Sequence, residues 1–329
     1  MSWLTRLRVD PFLLAIITAA VLGSVLPVTG AGIDVMDWLT TAAIAVLFFL
    51  YGARLSPQET LSGLRHWRLH LVILAFTYVA FPLLGVAIAA LAGTWLSPAM
   101  VTGLVYLTLV PSTVQSSIAF TSIARGNVAG AVVSASASNI LGVFLTPALC
   151  WIVLSGRIGF TTQAIIDIML QLLLPFVLGQ LSRRWTADFV KSHPQLKLVD
   201  RGSIVLVVYA AFAAGMRENM WAQTSLAEIG ILLVICLLIL GLMLWASWAV
   251  ARRLGFSVED AIAIQFCGTK KSLASGLPMA SVLFAGTPIG LVMLPLMVFH
   301  QAQLMACASL AGRYARRPEA DEPAPAPAG

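Results

Sequence analysis

Apolar residues in this chain come in long unbroken runs, and the lengths of those runs match a lipid bilayer. A hydrocarbon core about 30 Å thick takes roughly 20 apolar residues of helix at 1.5 Å rise per residue. Ten segments meet that measure: 9–28, 36–55, 69–92, 99–124, 127–154, 162–181, 203–221, 227–250, 257–284 and 287–312. The pattern predicts an all-α polytopic membrane protein of ten transmembrane helices, with one transporter-sized domain over 1–315. The first segment follows Arg6 and Arg8 and ends near Gly30, the outline of a secretory signal. Nine further spans follow it, so it reads as a retained helix.

The polar positions between the runs are asymmetric. With the spans alternating across the membrane, sixteen of the 20 Lys and Arg residues fall on the side that holds both chain ends. Arg157 and Arg217 fall on the other side, and Lys270 and Lys271 fall inside the ninth span. By the positive-inside rule both ends are cytoplasmic and the expected location is the plasma (bacterial inner) membrane. The longest polar connection, 182–202, reads as a cytoplasmic loop. The Pro/Ala-rich stretch 316–329 reads as a disordered cytoplasmic tail.

Composition closes off other classes. The chain is 59% hydrophobic and 10% charged, too few charges to cover a water-facing surface, which excludes a soluble enzyme. Its net charge of +6 follows membrane topology, so no nucleic-acid partner is expected. Cys150, Cys236, Cys267 and Cys307 stand singly in apolar stretches and read as buried small side chains. There is no GxxxxGK[ST] motif to drive ATP-dependent transport.

Ten spans divide into two sets of five, about 9–155 and about 162–312, and an odd number per set inverts the second against the first. The division aligns two interruptions. Span four contains Val-Pro-Ser-Thr-Val-Gln-Ser-Ser at 110–117; span nine contains Cys-Gly-Thr-Lys-Lys-Ser at 267–272, followed by Ser275 and Gly276. Proline deletes a helix hydrogen bond. Broken backbone is tolerated at membrane depth only where protein or a wet cavity satisfies it. Two polar breaks in matched positions point to a substrate or ion site. The plainer alternative is a pair of packing kinks, since Ser, Thr and Gly are common at membrane helix contacts.

These segments carry a resemblance. The run 110–117, with Ala124-Arg125-Gly126-Asn127-Val128-Ala129 and Leu145-Thr146-Pro147, resembles the bile acid:sodium symporter superfamily. Phe48-Phe49-Leu50-Tyr51-Gly52-Ala53-Arg54-Leu55 and Phe266-Cys267-Gly268-Thr269-Lys270-Lys271-Ser272-Leu273-Ala274 resemble its divergent branch related to solute carrier family 10 member 7. The resemblance implies ten helices arranged as a panel and a core domain, discontinuous helices four and nine crossing in the core, and alternating access. It also implies two sodium ions beside an organic-anion site. Ser116-Ser117 stands where the well-studied branch has Ser-Asn, and Ser134, Ser136, Ser138 and Asn139 fall where its fifth helix supplies hydroxyls. Gln265 and Thr269-Lys270 stand where sodium-coupled members have a glutamate followed by Gln-Asn. A sodium site carried over would rest on Ser116, Ser117 and Gln265.

The charges bear on that implication independently. Every Asp and Glu falls in a loop, in the tail or within about two turns of a span end. A sodium site would have neutral oxygens only, and these bind more weakly than a carboxylate. Lys270 and Lys271, near the middle of span nine, each carry an insertion cost of about 2.5–3.5 kcal/mol. Either ammonium could replace a sodium ion, attract an anion or load and release a proton; snorkelling to an interface is the plain reading. Asp260 lies ten residues from Lys270, about 15 Å along a straight helix, too far for a direct partner. His300, with Gln301 and Gln303, is placed to line a cavity or to bond a neighbouring helix. Ser257 with Glu259-Asp260 reads as a helix N-terminus, and Arg54 as an interfacial anchor.

The substrate- and ion-binding candidates are therefore Thr113, Gln115, Ser116, Ser117, Ser134, Ser138, Asn139, Gln265, Thr269, Lys270, Lys271, Ser272 and His300. The function expected is secondary transport of a small organic solute, an anion, with Na+ or H+ as coupling ion, no other cofactor, and the lipid bilayer as surroundings. Two rivals stand beside it. One is a membrane regulator that keeps the fold without transport. The other is an intramembrane enzyme, for which no His/Asp/Glu cluster at one depth is present.

Overall fold

The computed structural model describes residues 11–54, 66–155, 166–167, 169–217, 219, 221–222 and 224–317. Arg6, Arg8, Arg65 and Arg157 of the charge asymmetry, and the expected tail from Pro318 onward, lie outside these. No strand is present among the described residues. The helices are α1 (Pro11–Val25), α2 (Gly32–Arg54), α3 (Trp67–Ala92), α4 (Pro98–Leu109), α5 (Gln115–Ile123) and α6 (Val128–Leu154). They continue as α7 (Leu174–Ser192), α8 (Leu196–Arg217), α9 (Leu226–Arg253), α10 (Val258–Thr269), α11 (Leu273–Leu283) and α12 (Ile289–Ala315). Among the described residues, six of them (α2, α3, α6, α8, α9 and α12) are long and apolar enough to cross a membrane.

Local chemistry sets the ends. Asn127 opens α6 by accepting from the Gly130 N–H, and Ser225 and Glu228 form a reciprocal capping box on α9. Ser257 accepts from the Asp260 N–H, as the sequence suggested, and Asp260 also takes the Asn127 amide at 2.7 Å. Within α3, residues Phe76–Ala80 form a π turn, and Met169–Leu173 form another just before α7. The expected loop 182–202 is instead mostly helical: α7 runs through Ser192 and α8 starts at Leu196. The stretch Ser182–Lys191 has no helix breaker, and Pro194 is the first residue to stop it.

The helices fall into two sets by their contacts. In one, α2 packs on α7 and α8, and α1 packs on α8. In the other, α4 and α10 sit at the centre, touching α3, α12 and α6 between them, with α9 against α10 and α12. The sets meet where α8 packs on α11 and α12. The α2–α7 contact is backbone on backbone, because a Cβ on Gly52 would overlap the Phe176 carbonyl and one on Gly179 the Phe49 carbonyl. Outside, large apolar side chains such as Leu83, Leu91, Leu238 and Trp245 are exposed, an exterior suited to lipid.

Candidate functional site

The two polar interruptions become two breaks that cross. After Leu109 the backbone turns extended at Val110 (φ −75°, ψ 155°), and after Thr269 it does the same at Lys270 (φ −85°, ψ 146°). The chains touch where the Ser272 N–H donates to the Pro111 carbonyl at 2.8 Å.

Each break caps the other's helix end. A helix leaves its last carbonyls unpaired, and at membrane depth they need partners. At the end of α10, the Ser112 hydroxyl donates to Cys267 O (2.6 Å) and the Ser117 hydroxyl to Phe266 O (3.2 Å). At the end of α4, the Lys271 ammonium donates to Thr108 O (2.8 Å) and Val110 O (3.0 Å), and Thr146 donates to Leu109 O (2.9 Å). Its third donor reaches Thr77 O (2.9 Å) in the π turn of α3. All three ammonium protons are thus spent on carbonyls, and the cation sits at the negative end of a helix. Lys270 is equally buried but differently held: Nζ donates to Ser116 O (2.8 Å) and lies 3.7 Å from the Phe120 ring centroid. No ion pair joins either lysine to a carboxylate among the described residues.

Side chains supply the remaining backbone partners. Ser138 accepts from the Ser112 N–H (3.0 Å), and Asn139 donates to Ser112 O (2.7 Å) while accepting from the Ser275 hydroxyl (2.9 Å). Gln303 stands in for a peptide opposite Lys271, accepting from its N–H and donating to its carbonyl, both at 2.8 Å. Thr113 bonds the hydroxyls of Ser116 (2.7 Å) and Ser117 (2.9 Å).

A cavity of about 340 Å³ lies between this crossing and the first set of helices. The crossing side presents Thr113–Ser116 and Ser272–Ser275, the starts of α5 and α11, with Asn139 and His300. The facing side presents Phe12, Tyr51, Arg54, Lys197, Asp200, Arg201 and Ile204. Helix starts carry partial positive charge, so the crossing side favours an anion.

The structure brings Thr113, Gln115, Ser116, Asn139, Ser272 and His300 to the cavity wall. Ser117, Ser138, Lys270 and Lys271 lie behind it in the crossing. Ser134 is apart, bonded to His70 at 2.7 Å between α3 and α6. Thr269 returns its hydroxyl to Gln265 O. Gln265 does not join Ser116 and Ser117 in one ion site: its amide is spent on Leu244 O (2.9 Å) and the Tyr314 hydroxyl (3.0 Å). Arg54, expected as an interfacial anchor, is a cavity residue paired with Asp200. Lys197, Asp200 and Arg201 were hidden in what read as a loop; the signal that could have found them is their i, i+3, i+4 spacing on one helix face.

A model of the SBF-like CPA transporter family matches residues 10–316. The chain is 51% identical over 316 residues to the protein PA2026 of Pseudomonas aeruginosa, covering 95% of each. It is 46% identical over 312 residues to the putative symporter YfeH of Escherichia coli, covering 94% of each. To sodium/bile acid cotransporter 7 of Rattus norvegicus it is 29% identical over 314 residues, covering 93% of this chain and 92% of that one. A chain matched almost end to end, with crossed breaks beneath a polar cavity and a lipid-suited exterior, is a multi-pass membrane protein of the SBF-like CPA transporter family, within the bile acid:sodium symporter superfamily.

Proposed function

We propose that this protein is a secondary active transporter that carries a small organic anion by alternating access, with its cargo site in the cavity at the crossing. The observation that carries this reading is the cavity itself: both broken helices start on its wall and the opposite wall comes from a separate set of helices. Movement of one set against the other would expose the site alternately to the two sides. The reading includes ten spans in two inverted repeats. It is supported by matched halves: α4 and α10 are both 12 residues long, both follow a serine, and both end in an extended residue before the break. Contacts pair in the same way, α1 with α8 as α7 with α2, and α3 with α4 as α9 with α10. With the basic loops cytoplasmic, the Arg54 and Lys197 side opens to the cytoplasm of a bacterial inner membrane.

For coupling, Lys271 serves as a fixed cation in place of sodium, since its three donors are already coordinated by carbonyls. Lys270, with one carbonyl and an aromatic face, is the residue suited to carrying a proton. The test is uptake of radiolabelled organic anions into proteoliposomes, with sodium and pH gradients imposed separately, for wild type and Lys270→Ala. Uptake that ignores sodium, follows the pH gradient and is lost in Lys270→Ala is expected. Uptake that follows sodium and survives Lys270→Ala overturns the coupling scheme. Absence of flux for every anion overturns transport and favours a regulator that retains the fold.

A further inference from the structure

Three cations, Arg54, Lys197 and Arg201, and one carboxylate, Asp200, line the cavity on the side facing the crossing. Arg54 ends α2 and the other three lie in the first two turns of α8, so this charged wall joins two elements far apart in sequence. The Arg54 Nη1 donates to Asp200 Oδ2. The pairing is one-sided: Oδ1 of Asp200 is buried and has no hydrogen-bond partner among the described residues. A guanidinium can grip a carboxylate through two parallel bonds, and a buried carboxylate oxygen left bare is costly. The chain thus holds a carboxylate on Arg54 through one oxygen where the two groups allow two. Both stay partly open to the cavity, with side chains 27% and 14% exposed.

We propose that Arg54 is the receptor for the carboxylate of the transported anion, and that Asp200 occupies this receptor until the cargo displaces it. Cargo would take two parallel guanidinium N–H groups, one on each of two nitrogens, and Asp200 would turn toward Lys197 and water. The cargo is then a compact carboxylate: the cavity holds the volume of about eleven waters, and its crossing end supplies hydroxyl and amide groups for the cargo's polar remainder. The inference rests on the transport reading only in naming the occupant as cargo.

The receptor can be tested without knowing the cargo. Acetate is the probe, acetamide its neutral control, and the readout is the thermal midpoint of the purified full-length protein in detergent at constant ionic strength. An internal competitor that occupies the receptor about nine-tenths of the time lowers the apparent affinity about tenfold, so its removal strengthens binding by that factor. Asp200→Asn is expected to respond to acetate at a concentration about tenfold lower than wild type, and not to acetamide. Arg54→Gln/Asp200→Asn, which leaves no buried unpaired charge, is expected to be flat. Arg54→Lys/Asp200→Asn keeps the charge without the fork, and is also expected to be flat. Equal responses in all three variants, or none in Asp200→Asn, overturns the proposal. A protein that shows the expected pattern yet moves no anion in proteoliposomes refutes transport and leaves the receptor in place.

Discussion

Lys271→Met replaces the ammonium with an apolar group of similar length and orphans Thr77 O, Thr108 O and Val110 O together. Each buried acceptor left bare costs about 1–3 kcal/mol, so the three bound the loss at roughly 3–9 kcal/mol. Removing the buried charge returns part of this, because desolvating an ammonium costs several kcal/mol. The net expectation is a loss of about 3–5 kcal/mol, the lower half of that bound. With an unfolding entropy of about 2.1 cal/mol/K per residue, that lowers the thermal midpoint by about 4–7 °C. Lys271→Ala sharpens the test. It opens a space lined by the same three carbonyls, which a sodium ion suits and a large organic cation does not. At ten times its dissociation constant, sodium restores about 1.4 kcal/mol. The assay is thermal unfolding in detergent with sodium chloride against N-methylglucamine chloride at equal ionic strength. A Lys271→Met protein as stable as wild type would refute the account of the ammonium as a cap on α4. An Ala variant indifferent to sodium would refute its role as a substitute ion.

Three further outcomes follow from the same geometry. Gln303→Leu removes the partner of the Lys271 N–H and leaves its carbonyl only the His300 Nδ1 contact at 3.2 Å, and should cost about 1–3 kcal/mol, read by the same thermal assay. Gly179→Val drives a branched side chain into the α2 backbone and should lower the thermal midpoint and the yield of folded protein, by about 1–3 kcal/mol or more. Gln115→Cys places an exposed thiol on the cavity wall and should react with a membrane-impermeant maleimide from one face only, slowed by the transported anion. The wild type should stay unlabelled, since its four cysteines are all buried.

Depth along a helix is written in the sequence; rotation about it is not. The breaks at 110–114 and 270–272 were legible because proline and hydroxyl runs interrupt apolar stretches, and Lys270 and Lys271 stood out because charge is rare there. The two lysines are held differently, as expected, but not through the 100° step of a helix: both lie in the non-helical break, where consecutive side chains diverge more widely. Which group meets which was not legible. Ser134 and Ser138 lie one helical turn apart, yet one meets His70 and the other the backbone of Ser112. Gln265 points to Tyr314 rather than to the hydroxyls of α5 because α12 passes behind it. Arg54 and Asp200 are unremarkable at their positions, and their meeting depends on the packing of α2 against α8.

The π turn in α3 does more than free one carbonyl. A wide turn of this kind amounts to one residue too many in a regular helix, so the half after it is rotated by about 100° relative to an uninterrupted course. The two halves therefore address different neighbours. Trp67–Ala75 packs on α10 and α6, whereas Phe81–Ala92 packs on α4, with Gly85 against Thr108. Deleting one residue between Phe76 and Ala80 would restore a regular helix and turn the whole Phe81–Ala92 face away from α4. The bulge is a phase shifter: it lets one straight helix serve two interfaces whose faces no uninterrupted register could match.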